Sequence, residues 1–476
     1  MIAPLKEVSL QEVDVKASES YVGKAVHLIG IGGSGMQALA GMLLRCGANV
    51  TGSDEQAGAA IDRLVAAGAK VFLGQKADNL PDRLDLVVYS AAIKPTNPEL
   101  AAALSRNVPC VRYAEMVGRL MATRHGIAIS GTHGKSTTTA WVSFILKNAG
   151  LDPTFIIGAD VHQLGGPSGV GSGPHFVAEA CEYNRSFHNF RPTTAAILNI
   201  DGDHFDCYPD MQRIVEAFET FASLVPAHGL LILNADDARA MHTARAAAAR
   251  VETFGLESST ADWQAVNRQI KAGVCSFDLV YRRELMGRVD LQLLGIHNVA
   301  NALAAAATGY AAGVKPADLC DLLGQFTGAM RRLTCRGQIK GVTVVDDYAH
   351  HPTEIRATLD AARQHYHPRR LWAVFQPHQY SRTRIMLDQF ADSFSSADEI
   401  LLPDIYFARD TQQDMQSVCA QDLVDRLRQR GKQVHYVPDF DRIVDTLVKN
   451  CHPGDLVLTM GPGNVWKVAD ALVQRL

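Results

Sequence analysis

The sequence has few of the features that mark a specialised protein. Aromatic residues make up 7% and charged residues 20% of its 476 positions, and the net charge of −4 provides no basic excess. We therefore expect neither nucleic acid nor an anionic membrane as a partner. The nine cysteines are scattered, odd in number and never spaced as CxxC, which favours reduced thiols in a cytosolic enzyme over a disulfide framework or a zinc site.

Long apolar runs are also lacking. Two stretches, 25–44 and 295–314, contain no Asp, Glu, Lys or Arg and are long enough to span a membrane. Glycines interrupt the first and polar residues interrupt the alanine-rich second, so we expect neither to be transmembrane. Residues 1–19 show no apolar segment flanked by basic residues, and no signal peptide is expected. These features predict a cytoplasmic protein.

Strand-like and helix-like segments alternate along the chain, which is typical of an α/β fold. At roughly 150 residues per domain the length predicts about three domains. We place their bounds at 1–122, 123–332 and 333–476. The Gly/Pro/Ser-rich segment 165–173 is predicted to be a mobile surface loop.

A first glycine-rich loop, 30–35, fits the pattern G-x-G-x-x-G between a predicted strand and a predicted helix. Glycines allow the backbone to approach a diphosphate, and the helix N-terminus adds unpaired N–H groups. Asp54 follows the next strand, where an acidic group can bind a ribose hydroxyl. The loop indicates a nucleotide diphosphate, either NAD or a UDP group, and a tight turn without ligand is the alternative. The candidates here are Gly32, Gly33, Ser34 and Gly35.

A second glycine-rich loop follows predicted strand 126–130 and resembles a Walker A loop with a shortened leading segment. Its backbone N–H groups would surround phosphates, the Lys135 ammonium would neutralise β/γ-phosphate charge, and the Ser136 hydroxyl would bind Mg²⁺. A chance G-K-S is the alternative. The ATP-binding candidates are Gly131, Thr132, His133, Gly134, Lys135, Ser136 and Thr137.

Acidic and histidine residues follow two further predicted strands of the same unit. Glu179 and Glu182 end one strand, and Asp203 and His204 follow another. The carboxyl ends of parallel strands meet at one crevice, and ATP chemistry needs anionic ligands for Mg²⁺. We predict Glu179 and His204 as metal ligands, with a helix cap or a surface ion pair as the alternative for the glutamate.

A series of motifs over almost the whole chain resembles the amide ligases of peptidoglycan precursor synthesis, the Mur ligase family. GTHGKS together with DDYxHHPTE carries most of the specificity. The matching segments are HLIGIGGSGM (27–36), TGSD (51–54), YSAAIKPTNPEL (89–100), SGTHGKSTTT (130–139), EACEYNRSF (179–187), LNIDGDHFD (198–206), GIHNVANALAA (295–305), DDYAHHPTE (346–354) and QPHQYSRTR (376–384).

The resemblance implies three α/β domains: an N-terminal Rossmann-like domain for the UDP portion, a central P-loop domain for ATP, and a C-terminal Rossmann-like domain. It implies that ATP, UDP-N-acetylmuramate and L-alanine react to ADP, phosphate and the alanyl product, with Mg²⁺. We expect a monomer or a homodimer. The reaction would belong to peptidoglycan synthesis and so to cell wall biogenesis, cell shape and cell division. An acyl phosphate would form first, because a carboxylate is a poor electrophile.

The resemblance also implies roles for individual residues. Lys135, Glu179, His204 and Arg382 would be catalytic, and Arg382 would bind the amino-acid carboxylate. On the ATP side it adds His297, Asn298, Asn301, Arg332 and Asp346; on the substrate side it adds Ser90, Glu182, His351 and Arg382.

Some positions depart from the family pattern. No lysine occurs between Lys147 and Lys271, so the carbamylated lysine of many relatives is excluded there, as in the alanine-adding branch. Gln379 and Asn464 replace common family residues near the amino-acid site. Three other readings stay open: a ligase that adds a murein tripeptide, an NAD-dependent oxidoreductase, and a non-catalytic nucleotide-binding regulator.

Overall fold

The computed structural model describes residues 21–476, which form three α/β units, each built on its own sheet. Residues 1–20, with the segment tested for a signal peptide and the start of the first predicted domain, lie outside the described residues. The α/β class and the three-unit architecture predicted from the sequence are confirmed.

The first unit is a parallel sheet in the order β3-β2-β1-β4-β5, the order of a doubly wound nucleotide-binding half. Its strands are β1 (Ala25–Ile29), β2 (Asn49–Asp54), β3 (Lys70–Leu73), β4 (Leu86–Tyr89) and β5 (Cys110–Arg112). Its helices are α1 (Ser34–Arg45), α2 (Ala59–Ala66), α3 (Pro98–Ser105) and α4 (Tyr113–Met121).

The central unit has ten strands: β6 (His125–Ser130), β7 (Thr154–Ile156), β8 (Ser168–Gly169), β9 (His175–Glu179), β10 (Thr194–Ile197), β11 (Leu230–Asn234), β12 (Arg250–Gly255), β13 (Trp263–Lys271), β14 (Val274–Tyr281) and β15 (Glu284–Leu294). Their order is β15-β14-β13-β12-β11-β10-β6-β9-β7-β8. The helices are α5 (Lys135–Asn148), α6 (Met211–Ser223), α7 (Ala238–His242), α8 (Ile296–Ala311) and α9 (Pro316–Gln325). The β6–α5 junction therefore lies in the middle of the sheet.

Two parts of this unit differ from our expectations. The strands β13, β14 and β15 pair antiparallel as successive hairpins at one edge of the sheet, where we predicted no strands. At the opposite edge, the predicted surface loop contributes β8, which pairs with β7, and Ser168 is buried. The two residues of β8 are too few to show a hydrophobic period, whereas β13 to β15 do carry the alternation of half-buried strands, which we did not use.

The third unit is a six-stranded sheet in the order β16-β17-β21-β18-β19-β20, parallel except for β16. Its strands are β16 (Thr334–Ile339), β17 (Val342–Asp347), β18 (Leu371–Phe375), β19 (Glu399–Leu402), β20 (Gln433–Tyr436) and β21 (Leu456–Met460). Its helices are α10 (Pro352–Tyr366), α11 (Tyr380–Ile385), α12 (Leu387–Ala391), α13 (Gln412–Ser417), α14 (Ala420–Gln429), α15 (Phe440–Asn450) and α16 (Trp466–Arg475).

The hydrophobic cores show how the units are joined. One cluster of buried side chains runs from Leu39 and Met116 of the first unit to Phe187 and Phe218 of the central unit. The third unit has its own cores on the two faces of its sheet. The first two units are thus fused through apolar contacts, whereas the third is held to the central unit mainly by the polar contacts described below. Between residues 21 and 476, no helix has the length and apolar character needed to cross a membrane.

Candidate functional site

The first glycine-rich loop connects β1 to α1 at the carboxyl edge of its sheet. The Gly32 N–H donates to Asp54 Oδ2 at 2.8 Å. A Cβ built on Gly32 would lie 2.8 Å from the same oxygen, so this close approach requires glycine. Gly33 and Ser34 are exposed, and no side chain caps α1. The loop therefore presents free N–H groups at a helix N-terminus, the arrangement that binds a phosphate.

The remaining first-unit candidates lie at the same edge. Ser90 follows β4, and its Oγ is 3.2 Å from the Cβ position of Gly30. The structure thus brings Asp54 and Ser90 to the loop from the strands on either side of β1, as the parallel topology predicts.

Tyr113, the first residue of α4, connects the first loop to the central unit. A Cβ on Gly35 would meet the Tyr113 ring at 2.8 Å. Burial, together with the nearby Glu179 and Cys181, raises the pKa of Tyr113. The Tyr113 ring therefore contacts the first glycine-rich loop, and the residue lies close enough to Glu179 for that charge to act on its hydroxyl.

The second glycine-rich loop runs from β6 into α5. Gly134 has a φ of 83°, and a Cβ there would lie 2.5 Å from Asn301 Oδ1, so both the backbone and the space require glycine. The loop is held from the chain after β10. Asn199 Oδ1 accepts from His133 N at 2.8 Å, and the Thr132 hydroxyl accepts from Asp201 N at 2.8 Å.

Lys135, the first residue of α5, is buried in an ion pair. Its Nζ lies 2.8 Å from Glu182 Oε2 and donates to the carbonyls of Gly131 and Thr132 at 2.5 and 3.0 Å. Burial disfavours the charged forms, but the pairing dominates. The pKa of Lys135 is raised by Glu182, and the pKa of Glu182 is lowered by Lys135 and His204. The lysine stays cationic at the point where phosphate would bind.

The predicted metal ligands surround this lysine. The Ser136 hydroxyl donates to Glu179 Oε2 at 2.8 Å, and the same oxygen accepts from Gly158 N at 2.9 Å. His204 lies on the Glu182 side, with Nε2 3.5 Å from Glu182 Oε1, and its buried Nδ1 has no hydrogen-bond partner. The hydroxyl and carboxylate oxygens suit a hard cation such as Mg²⁺, and the unpartnered imidazole nitrogen is a further available donor.

A cavity of about 380 Å³ adjoins the second loop, between the central and third units. Its walls include seven of the predicted ATP-binding residues, namely His133, Gly134, Thr137, His297, Asn298, Asn301 and Arg332. The asparagines at the start of α8 are oriented by hydrogen bonds: Asn301 Nδ2 donates to Asn298 Oδ1 at 3.0 Å, and Asn298 Nδ2 donates to Leu294 O at 2.8 Å. Polar side chains held in this way can select one orientation of a planar base.

Asp346, also predicted to bind ATP, does not line this cavity. It is fully buried, pairs with Arg331 at 2.8 Å and accepts from the Thr459 hydroxyl at 2.7 Å. Its neighbour Asp347 lines the cavity. Side chains alternate along a strand, so of two consecutive aspartates at the end of β17 only one can face the cavity.

Arg382 joins the third unit to the central unit. Its Nε and Nη2 donate to Asp203 Oδ1 at 2.9 and 2.7 Å, and both side chains are almost completely buried. Burial alone would raise the pKa of Asp203, but His204 and Arg382 hold it well below its usual value. The guanidinium expected to bind an amino-acid carboxylate thus holds a protein carboxylate, one residue before His204.

His351 and His133 form a second interdomain contact. The His351 Nε2 lies 2.9 Å from Gly202 O, and its ring centroid is 4.6 Å from that of His133. The two nitrogens of His133 lie 3.1 Å from Glu354 Oε1 and 3.1 Å from Asp201 Oδ2. Burial opposes the cationic ring, but these two hydrogen bonds raise the pKa of His133 to about 9.

Other histidines nearby are held neutral. Burial and the charge of Arg332 lower the pKa of His297 to about 4. Burial, against the opposing effect of Glu354, lowers the pKa of His350 to about 4. Of these rings His297 lines the cavity and is neutral at physiological pH, whereas His133, which also lines it, is protonated.

Three residues that we did not select support the site: Asn199, Asp201 and Glu354. All lie inside motifs quoted for the resemblance, so the signal was present in LNIDGDHFD and DDYAHHPTE. Their partners are distant in sequence, and spacing alone gave no reason to choose them over their neighbours.

Comparison with known proteins matches successive parts of the chain to three family descriptions. These are the catalytic domain of the Mur ligase family over residues 25–125, the Mur ligase middle domain over 129–309, and the Mur ligase glutamate ligase domain over 331–463.

Whole-chain relatives agree with these matches. A UDP-N-acetylmuramate–L-alanine ligase of Caldanaerobacter subterraneus subsp. tengcongensis is 43% identical over 454 residues, 95% of this chain and 98% of that protein. One of Acetivibrio thermocellus is 42% identical over 453 residues, 95% and 96% of the two chains. The crystal structure of the UDP-N-acetylmuramate–alanine ligase of Thermotoga maritima superposes with a TM-score of 0.81 at 27% identity, over 95% and 98%. A murein peptide ligase of Psychrobacter arcticus gives 0.74 at 27% identity, over the same shares.

Proposed function

The chain belongs to the Mur ligase family, and we propose that it uses ATP to join L-alanine to the lactyl carboxylate of UDP-N-acetylmuramate. One observation carries the proposal: Lys135 and Ser136 of the second glycine-rich loop lie 2.8 Å from the carboxylates of Glu182 and Glu179, respectively. A cation and a hydroxyl beside two carboxylates suit the binding of ATP with Mg²⁺, and we propose that the first glycine-rich loop borders the same cleft, as a reaction between a UDP-linked carboxylate and ATP requires. The whole-chain relatives support L-alanine as the amine.

The reaction needs activation of a carboxylate, which is a poor electrophile. A lactyl oxygen attacks the γ-phosphorus of ATP, the bond to the ADP oxygen breaks, and an acyl phosphate forms. The amine of L-alanine then attacks the carbonyl carbon, loses a proton, and expels inorganic phosphate. Lys135 stabilises the charge on the transferring phosphoryl group, because it remains cationic beside the loop N–H groups.

Mg²⁺ would bind at Ser136, Glu179 and His204, and when bound it would offset phosphate charge. Glu179 Oε2 already accepts two hydrogen bonds, from the Ser136 hydroxyl and from Gly158 N. These bonds orient the carboxylate toward the phosphate-binding loop, so the chain holds its anionic donor in place before any cation arrives.

Further assignments follow from the placement of the residues. We assign the UDP portion to Gly32, Gly33, Ser34, Gly35, Asp54 and Ser90, and the nucleoside of ATP to the cavity beside α8. Glu182, His351 and Arg382 would act on the substrate side, and Arg382 would exchange Asp203 for the amino-acid carboxylate. Asp346 would act on ATP indirectly, by fixing Arg331 beside Arg332.

We propose domain bounds of 1–122, 123–332 and 333–476, in keeping with the three sheets. We place the reaction in the cytoplasm, as a step of peptidoglycan precursor synthesis that serves cell shape and division, and we propose that the enzyme works as a monomer or homodimer.

A murein tripeptide is the second candidate for the amine-bearing substrate, since a murein peptide ligase shares this fold over 95% of the chain. The test is ADP release with ATP, Mg²⁺ and UDP-N-acetylmuramate, supplied with L-alanine, L-serine, glycine or the tripeptide. We expect the highest kcat/KM with L-alanine. A preference for the tripeptide would overturn the substrate assignment.

Two controls test the chemistry separately from the substrate. Lys135→Ala should lower kcat by at least about 10²–10³-fold with an unchanged circular dichroism spectrum. Full activity in excess chelator would refute the magnesium assignment, and near-normal turnover of Lys135→Ala would refute the role of the loop.

A further inference from the structure

His133, Asp201 and His351 converge where the central unit meets the third. His133 belongs to the second glycine-rich loop, Asp201 follows β10, and His351 caps α10. One ligand atom from each lies within 4.8 Å of the other two. Over residues 21–476 no other group of three His, Cys, Asp or Glu residues is arranged so closely.

The separations suit a small tetrahedral cation. His133 Nε2 is 3.1 Å and His351 Nδ1 is 3.8 Å from Asp201 Oδ2. Zinc bonds of about 2.0–2.2 Å in a tetrahedron place neighbouring donor atoms about 3.3–3.5 Å apart. The ligand atoms of His133 and His351 lie within 4.8 Å of each other, so binding of one ion requires these two rings to approach.

Hydrogen bonds on the far side of each ring select the required nitrogen. His133 Nδ1 faces Glu354 Oε1 at 3.1 Å, so its N–H donates to a carboxylate, and Nε2 faces Asp201 Oδ2 at 3.1 Å. The raised pKa of His133 places a proton on Nε2 as well, and a cation that binds there displaces that proton. His351 Nε2 lies 2.9 Å from Gly202 O, so its N–H donates to a carbonyl and Nδ1 keeps its lone pair. Histidines that bind metals are typically fixed by such a carboxylate or carbonyl.

Thr353 is the competing partner. Its N–H donates to His351 Nδ1 at 3.2 Å, and its hydroxyl donates to Asp201 Oδ2 at 2.9 Å. A cation would replace the longer bond, from Thr353 N to His351 Nδ1. The shorter bond can stay, because one carboxylate oxygen can accept a hydrogen bond from the Thr353 hydroxyl while it also binds the ion. Asp201 is 34% exposed, so water can reach the fourth coordination position.

We propose that His133, Asp201 and His351 form a binding site for a divalent transition cation of the Zn²⁺ class. Two imidazoles and one carboxylate suit such an ion better than Mg²⁺, which prefers oxygen ligands. Two ligands come from the central unit and one from the third, so a bound ion ties the units together. Opening of the ATP cavity, and hence turnover, is slowed when the ion is bound.

The experiment is calorimetric titration of the full-length, chelator-treated protein with Zn²⁺ in excess Mg²⁺. Asp201→Asn keeps the size of the side chain and removes its charge, and His351→Gln is a second variant of the site. His204→Ala is the matched control, since it removes the histidine of the proposed magnesium site instead. Circular dichroism verifies that each variant is folded.

We expect one Zn²⁺ per chain in the wild type and in His204→Ala, with similar affinity. Binding should weaken at least about tenfold in Asp201→Asn and His351→Gln, and about 10–100-fold in Glu354→Gln, which loses the carboxylate behind His133. Co²⁺ in place of Zn²⁺ should show the strong visible absorption of four-coordinate cobalt. Unchanged affinity in Asp201→Asn and His351→Gln, or loss in His204→Ala with retention in Asp201→Asn, would overturn the proposal.

Discussion

Lys135 of the second glycine-rich loop is ion-paired with Glu182, with Nζ 2.8 Å from Oε2. Glu182 is only 3% exposed, so the pair is shielded from solvent. An incoming phosphate must share the lysine with this carboxylate or displace it. Glu182 thus opposes the binding of a nucleotide that arrives without a compensating cation.

Replacing Glu182 by glutamine tests this competition. The substitution keeps the shape and removes the negative charge, so we expect ATP to bind about tenfold more tightly in excess chelator, as measured by calorimetry. Glu115→Gln, which removes a charge from a more exposed ion pair on α4, is the control and should change nothing. Equal or weaker ATP binding by Glu182→Gln would show that the carboxylate does not compete with phosphate.

Gly134 and Gly150 have nearly the same backbone conformation but different surroundings, so alanine at each position distinguishes backbone strain from steric contact. Gly134 has φ 83° and Asn301 in contact, whereas Gly150, after α5, has φ 79° and no atom within 4 Å of its Cβ position. Alanine at position 150 should cost about 1–2 kcal/mol of stability from backbone strain alone, and alanine at position 134 should cost more, because its Cβ also meets Asn301. Only Gly134→Ala should also weaken ATP binding, by at least about tenfold, because Asn301 must move. Similar ATP dissociation constants for the two variants would contradict this.

The buried ion pair Arg382–Asp203 should show a large coupling energy in a double-mutant cycle of protein stability. Breaking it by Arg382→Met or by Asp203→Asn should each cost about 3–5 kcal/mol in the unfolding transition of the third unit, since one charge stays buried alone. The double variant should lose less than the sum of the two, as determined from urea titrations. The exposed Arg430, which pairs with Asp388 and Asp392, is the reference: Arg430→Met should cost at most about 1 kcal/mol. If the losses of unfolding free energy in the two single variants add up to the loss in the double variant, Arg382 and Asp203 are not energetically coupled across the two units.

Acid should destabilise the protein through His297. The folded protein keeps this ring neutral down to about pH 4, whereas the unfolded chain binds a proton near its ordinary pKa of 6.5. Between these values the unfolded state holds more protons, so stability falls as the pH is lowered, and above pH 6.5 this contribution is constant. The ring is partly open to the cavity, so we expect a loss of about 1 kcal/mol at pH 5.

His297→Gln isolates that contribution. We expect the variant to lose less Tm than the wild type between pH 7.5 and pH 5, because glutamine does not titrate. If Tm falls equally with pH in the two proteins over this range, His297 has the same pKa in the folded and the unfolded state.

The sequence predicted the elements whose signals are local. The strand–loop–helix contexts of Gly32 and Lys135 each lie within one short segment, and both loops form as expected. The hairpins β13 to β15 were missed although their sequences alternate as half-buried strands do, so here the local signal was present and not used. A strand pattern also could not decide which of Asp346 and Asp347 faces the cavity.

Contacts between units were the least predictable part. His133 meets Glu354 across 221 positions and Arg382 meets Asp203 across 179. Such pairs depend on how separately folded sheets are arranged, which residue spacing does not contain. The resemblance indicated His133 and Arg382, and the structure identifies Glu354 and Asp203 as their partners.

The position of Tyr113 ties the first glycine-rich loop to the seam between the first two units. Its ring lies 2.8 Å from the Cβ position of Gly35, and it begins α4, whose Met116 and Val117 belong to the apolar cluster shared with the central unit. A side chain at position 35 would therefore push on a helix that is packed into both units. Even a methyl group there should disturb the seam as well as the loop.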